Sequence, residues 1–386
     1  MKNSMQKKHT ISFITGAMLV SLATGAQALD IKSGNEKVDL KLYGHINRAV
    51  MFADDGDESK VFHVDNTTSE SRVGLKAKVK PTEYLAIGGN FEVQWQANPS
   101  DKVSMEEESI SGGFKERIME VYLDFAKAGK FSIGRGSMAS NDTTEMDLSG
   151  TVLAGNVGIA DVGGALEFYD AAASAIMPNE DEEAESHGIV VKDVFDQMDG
   201  LSRRNRVRYD TPTFAGFALG VSAGEKERAD VALSYSGSFA DGTKLKAAVA
   251  YSDPGEDKDY TQINGSASVL LGFGLSLTAA AGTRDLDDMP AGGDDPVFMY
   301  GKIGYKFKDL LSVGSTAFSV NYGVYENIDH QDMEEEGINY GAQLVQKFSN
   351  YSTELYAAYS NIEFEDNGDA DYEPISIVMA GVRLKF

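Results

Sequence analysis

The sequence predicts an all-β protein: a transmembrane, antiparallel, up-and-down β-barrel of about sixteen strands with a long, inward-folded third loop. Three observations predict it. A secretory leader stands at the front; behind it comes a succession of short segments in which apolar and polar residues alternate; and nothing later approaches the roughly 18 apolar residues of a spanning helix. An exported chain without spanning helices can still live in a bilayer if its strands close on themselves and leave no unpaired edge.

The leader is residues 1–28. Lys2, Lys7 and Lys8 form a basic start, Ile11 to Leu22 an apolar stretch, and Ala26-Gln27-Ala28 a small-residue cleavage site, the pattern of a signal peptide removed after Ala28. Residues 29–386 are then one barrel domain.

The first strand, about Asp39 to Phe52, puts Leu40, Leu42, Gly44, Ile46, Val50 and Phe52 on one face and Tyr43, His45 and Asn47 on the other. Arg48 falls on the apolar face, which costs roughly 2–4 kcal/mol against lipid at mid-membrane; a neighbouring subunit is its expected contact. The second strand, Arg72 to Lys80, sends Val73, Leu75, Ala77 and Val79 outward and Arg72, Lys76 and Lys78 inward. Leu85 to Gln96 alternates most cleanly, with Asn90, Glu92, Gln94 and Gln96 on the wet side. Glu116 to Phe125 conflicts with the rule, because Arg117 shares a face with Met119 and Val121, so a bulge or a later start is required there. Lys130 to Arg135 and Arg203 to Tyr209 are less regular, and the remaining strands repeat the alternation as far as Ile375 to Phe386.

Connections alternate short and long, as expected when one rim faces the periplasm and the other the outside. Pro81-Thr82-Glu83 and Ala240 to Thr243 are short; Ala53 to Ser71, Ala97 to Lys115 and Asn361 to Pro374 are long and acidic. Aromatics gather beside the short turns, at Tyr84, Phe131, Tyr209, Phe214, Phe239, Phe307, Phe348 and Phe386, where an interfacial belt would sit.

The longest connection, residues 137–202, carries fourteen Asp or Glu residues against the single basic Lys192 and ends in Arg203, Arg204, Arg206 and Arg208. It is the one insertion large enough to fold back into the lumen, facing an arginine ladder on the wall. Its run Glu180 to Glu185 reads as a solvated cap, and Val191, Val194, Phe195 and Met198 recur at helical spacing before Gly200, a short helix tacking the loop to the wall.

A net charge of −25 argues against nucleic acid as a partner. The lack of cysteine excludes disulfide and thiol chemistry. None of the five histidines lies in a recognisable catalytic motif, so the chain reads as no enzyme, and no cofactor or metal is expected. Acid clusters such as Asp54 to Glu58 and Asp366 to Asp371 resemble calcium loops but lack the twelve-residue spacing. Phe298, Tyr300 and Tyr325 are too scattered to be read as a sugar slide.

Several short motifs, in order, resemble the general porin family of Gram-negative outer membranes over nearly all of the mature chain. They are Leu42-Tyr43-Gly44, Ser71-Arg72-Val73-Gly74-Leu75, Ile133-Gly134-Arg135, Arg206 to Pro212 followed by Phe214 to Phe217, and the terminal Phe386. The resemblance implies a homotrimer in the cell outer membrane, contacting lipid and lipopolysaccharide, through which ions and small hydrophilic solutes diffuse passively. It also implies a constriction in which basic wall residues face an acidic third loop. Arg72 and Arg117 match the arginines of the second and fourth strands; His45 stands where the family is usually basic; Arg203, Arg204 and Arg206 lie on the strand leaving the loop. The loop departs from the family's Pro-Glu-Phe-Gly-Gly-Asp core, and Asp142, Glu145 and Asp147 are its expected constriction carboxylates by their nearness to its start. Abundant carboxylates favour cations. The alternatives are a substrate-specific channel and a non-conducting structural or adhesive barrel.

Overall fold

The computed structural model describes residues 29–31, 34–171, 188–289, 293–328, 334–368 and 370–386. Its strands are β1 (Leu29–Ile31), β2 (Val38–Asp54), β3 (Ser59–Asp65), β4 (Arg72–Thr82), β5 (Leu85–Gln96), β6 (Gly113–Phe125), β7 (Gly129–Ser137), β8 (Arg203–Asp210) and β9 (Phe217–Gly224). They continue with β10 (Ala229–Ser238), β11 (Lys244–Asp253), β12 (Tyr260–Leu270), β13 (Leu275–Leu286), β14 (Val297–Leu311), β15 (Gly314–Glu326), β16 (Glu336–Phe348), β17 (Thr353–Glu365) and β18 (Ile375–Lys385). Every pairing between these strands is antiparallel and each stave pairs with its sequence neighbours, so 16 of them close into one barrel. Closure runs through β18 and β2, in the register Val382↔Arg48, and below it Gly44 and the terminal Phe386 exchange backbone hydrogen bonds of 2.9 and 3.0 Å.

The two remaining strands are additions to β2. β1 pairs with its lower part, Leu29↔Leu42, and β3 folds back on its upper part, Phe52↔Val61, while β4 takes the lower half of the same edge. The segment expected to be one long loop, Ala53 to Ser71, is therefore largely a hairpin. Its tip is built by Asp55, whose carboxylate accepts from the Asp57 and Glu58 amides at 3.1 and 2.8 Å; that acidic run is turn chemistry. Turn lengths also depart from expectation, since on the long-loop rim the connections 225–228 and 254–259 are short.

Alternation sorts the wall. On β5, Ile87, Phe91 and Trp95 are exposed on the outer face while Glu92 and Gln94 are buried inside, and the other staves follow the same period of two. Exposure of so many large apolar side chains is costly in water and costless in hydrocarbon. Tyr84, Phe131, Phe214, Phe239, Phe307 and Phe386 mark the short-turn rim as exposed aromatics. Arg48, on the outer face, finds its partners within its own chain: its guanidinium donates to the Ala97 and His63 carbonyls at 2.6 and 3.2 Å.

The lumen is not uniformly wet. Leu166, Phe168, Val191, Val194, Phe195 and Met198 of the third loop pack with Met51, Phe298, Tyr325, Phe364, Ile377 and Met379 of the inner wall in one apolar cluster. At roughly 1.5–3 kcal/mol for each large side chain buried, this packing contributes more to seating the loop than any single ion pair can. The helical spacing yields one turn, Val191–Val194, with the chain leaving it at Phe195, and all four predicted apolar residues are buried. Phe298 and Tyr325 stack with centroids 5.8 Å apart, and Phe195 lies 4.8 Å from Tyr325. These aromatics, with Tyr300, are core rather than a slide for sugars. The run Glu180 to Glu185 lies outside the described residues.

Polar staples complete the seating. Asp230 on β10 accepts from the Ala139 and Ser140 amides at 3.2 and 2.8 Å, and the β12 hydroxyls of Ser266 and Ser268 accept from the Met146 and Leu148 amides, both at 2.9 Å. Thr151 meets Ser319 at 2.7 Å. Lys302 on β14, its side chain wholly buried, donates to Asp147 at 2.8 Å and to the Gly155 carbonyl at 2.7 Å. The loop is thus fastened along the inner wall from β10 round to β18. The wall of β4 to β6 opposite keeps Lys76 exposed and Asn90, Glu120 and Tyr122 partly exposed.

Candidate functional site

The uncovered wall carries a network of arginines and glutamates. Arg117 reaches it through a register shift: Glu92 faces Ile118 and Val93 faces Glu116, so Arg117 is the extra residue of a bulge. The bulge turns a side chain that strict alternation would put in lipid into the lumen. There it donates to Glu92 at 2.7 Å and Gln94 at 2.8 Å and pairs with Glu70 at 2.8 Å. Arg72, opening β4, pairs with Glu70 at 3.0 Å and lies 3.7 Å from Glu92. Tyr43 completes the group by donating to Glu92 at 2.8 Å. Its ring lies where a Cβ on Gly74 would stand, so only glycine at 74 leaves room for it. Burial works against the Glu70 carboxylate, but Arg117 and Arg72 prevail and hold it below the usual carboxylate range.

The four arginines leaving the third loop do not act as one group. Arg206 is inward and buried, bound to Glu120 and to the Gly134 and Ser137 carbonyls at 3.1 Å each. Gly134 has a φ of +116 in a strand and packs against the Met119 backbone where a side chain would collide, which explains the glycine in Ile133-Gly134-Arg135. Arg208 binds Asp210 at 2.8 Å and the Met138 carbonyl at 2.6 Å, anchoring the base of the loop. Arg203 acts electrostatically on Glu70 and Arg72. Arg204 lies apart, near Arg228, Arg135 and Tyr260, with its buried Nε unpartnered among the described residues. His45 sits beside the network, its Nε2 2.9 Å from the Glu70 carbonyl and 3.3 Å from Ser69 Oγ.

The loop contributes Asp142, Glu145, Asp161 and Asp199, and Asp161 lies close enough to Glu70 to feel its charge. The Asp142 backbone takes a left-handed φ of +65, and its amide donates to Asp199 at 2.7 Å, with Thr144 Oγ1 donating to the same carboxyl group at 2.9 Å. One oxygen from each of Asp142, Glu145 and Asp199 lies within 4.8 Å of the others, a set that could share a proton or hold a cation. Burial first, then Asp199, Asp142 and Asp161, drive Glu145 well above the usual carboxylate range. Burial and Asp142 push Asp199 up to about 7. Burial, then Glu70, Asp101 and Asp199, push Asp161 up to about 8.

The structure therefore brings together Arg72, Arg117, Arg203 and His45 on one side and Asp142 and Glu145 on the other. Arg206 and Asp147 stand in fixed pairs, Arg206 with Glu120 and Asp147 with Lys302. Sequence reasoning missed Glu70, Glu92, Glu120, Asp161, Asp199 and Lys302. Glu92 and Glu120 carried a signal, since both fall on the wet side of their strands; Asp161 and Asp199 carried none beyond lying in an acidic loop.

A family model described as Gram-negative porin matches residues 15–367. The chain belongs to the Gram-negative porin family. It is an outer-membrane channel protein. An anion-selective porin from Comamonas acidovorans is 16% identical, with a TM-score of 0.61 over 90% of this chain and 100% of that one. OmpT, an outer membrane protein of Vibrio cholerae, is 14% identical, with a TM-score of 0.56 over 92% of this porin and 99% of its own length. OmpF of Salmonella typhi is 13% identical, with a TM-score of 0.53 over 93% and 100%. At these identities the likeness is one of fold. A search of curated protein sequences gives no match.

Proposed function

We propose that this porin passes ions and small hydrophilic solutes by passive diffusion through the gap between the Arg72–Arg117–Glu70–Glu92 wall and the carboxylate edge of the third loop. The observation that carries the reading is that an arginine–glutamate network on the wall and a carboxylate cluster on the third loop are each held in place inside one barrel. A solute in such a gap loses part of its hydration shell and meets fixed charges that bulk water would screen. The wall group is close to neutral as a whole, because Glu70 and Glu92 offset Arg72 and Arg117. The expected cation preference therefore rests on the outer loops and on those loop carboxyls that ionise.

Export through the residue 1–28 leader, assembly as a homotrimer and contact with lipopolysaccharide belong to the same proposal. A trimer form of Vibrio cholerae OmpT, with a TM-score of 0.55, supports the oligomer by analogy of fold. No enzymatic role is proposed, since the family the chain belongs to is one of channels. A non-conducting barrel is the second reading, and the apolar cluster filling part of the lumen is the observation in its favour. Planar-bilayer recording decides between them. The channel reading expects stable ohmic steps with a reversal potential on the cation side in a potassium chloride gradient; a folded, inserted protein that carries no current would leave the structural barrel standing.

A further inference from the structure

Below the third loop, toward the short-turn rim, the inner wall changes sign. Lys244 and Lys246 on β11, Lys306 on β14, Lys347 on β16 and Arg383 and Lys385 on β18 all occupy inward positions of the alternation. Glu354 is the acid among them, and it is shared: Lys347, Arg383 and Lys385 approach it at 3.3, 2.5 and 2.9 Å. Lys244, Lys246 and Lys306 have no carboxylate partner among the described residues, and Lys244, Lys308 and Lys347 are the charges that bear on Lys306.

A second feature lies between these lysines. Pairing sets Lys246, Ser268, Thr278 and Lys302 on one rung and Lys244, Leu270, Ser276 and Gly304 on the next. Ser268 and Thr278 satisfy each other at 2.7 Å. Ser276, only 1% exposed, has an Oγ with no hydrogen-bond partner among the described residues. Gly304 beside it has no side chain: a Cβ there would stand 2.7 Å from that hydroxyl and 3.2 Å from Ser149 of the loop tip. A buried hydroxyl left unpaired costs about 1–3 kcal/mol, a cost that a ligand oxygen at this point would remove.

We propose that Lys244, Lys246 and Lys306, with the Ser276 hydroxyl, form an oxyanion site on the inner wall beneath the tip of the third loop, which takes phosphate-class solutes such as pyrophosphate or phosphate monoesters. Ammonium groups are compact point charges that suit a multiply charged tetrahedral oxyanion, whereas a planar carboxylate is better matched by a guanidinium fork. An acidic outer mouth and a basic inner basin then stand in series along one passage. For solute access the site rests on the channel reading; for binding it does not.

The test is calorimetric titration of inorganic pyrophosphate into the full, folded protein in detergent, paired with pyrophosphate block of bilayer current from the short-turn side. The wild type is expected to bind and to be blocked at sub-millimolar concentration. Lys244→Gln with Lys306→Gln weakens both by about tenfold or more and Ser276→Ala by a few-fold, as expected for lost charge-assisted and neutral donors. Lys78→Gln, on the opposite wall, changes neither by more than about twofold. Equal loss in Lys78→Gln and in the double variant, or no binding heat in the wild type, overturns the site. Retained binding without any current would instead sink the channel reading and leave the site in place.

Discussion

Arg117 shows how one side chain can overrule a pattern. Alternation placed it in lipid, and the conflict was visible in the sequence; the bulge that resolves it brings it against Glu92 and Glu70. Removing one member of a buried pair leaves an uncompensated charge, at a cost of about 3–5 kcal/mol where water cannot reach it. Arg117→Gln is thus expected to lower barrel stability, by less than that figure because the lumen is partly wet, and to shift the reversal potential toward cations. Glu92→Gln added to it restores much of the stability, as a double-mutant cycle in denaturant reads out. The loop acids give a pH dependence of definite sign. Asp161 and Asp199, held at about 8 and about 7 against an ordinary 3.8, bind protons in the folded state that the unfolded chain has already lost. Their contribution to stability therefore falls as pH climbs from about 4 through 8. The melting temperature should drop and cation preference should rise between pH 6 and 9, and Asp161→Asn should flatten both trends; rising stability over that window would contradict the assignment. These two residues were not legible in sequence, because what singles them out is their placement beside Asp142 and Glu70, across a fold that spacing does not encode.

At the scale of elements, β5 was legible to its end residues, since its alternation is unbroken, with a short turn before it and a polar, acidic connection after it. The β3 hairpin was not, because its acidic tip reads as loop and its short strand pairs only with the upper part of β2. The third loop was legible as an insertion and as acidic, and its apolar residues were legible as a tack; that they build a core inside the barrel depends on Phe298, Tyr325 and Ile377 from distant strands. Lys302 is the loop's polar latch. Lys302→Met, which leaves Asp147 buried without its cation, is expected to destabilise by roughly 3 kcal/mol and to add open-channel current noise as the loop loosens. Lys302→Met with Asp147→Leu should recover most of both, read by thermal melts and by noise spectra of single channels.

For the molecule as a whole, acidic long loops, the near-neutral Arg72–Arg117–Glu70–Glu92 group and the inner lysines occupy different levels of the barrel, so the net charge of −25 says little about any one level. That is why composition alone favoured cations without locating where they are favoured. Assembly adds a prediction: the unheated protein should migrate in detergent gels as a trimer and after boiling as a 41.6 kDa chain, less the leader if it is removed. The lack of native cysteine allows a clean test of where the passage runs. Single cysteines are placed at Asp142, on the loop's acidic edge, and at Leu153, in its packed interior. During recording, a charged methanethiosulfonate reagent should step the current down in Asp142→Cys and leave Leu153→Cys untouched; the reverse pattern, or reaction at both without change in current, would place the water elsewhere.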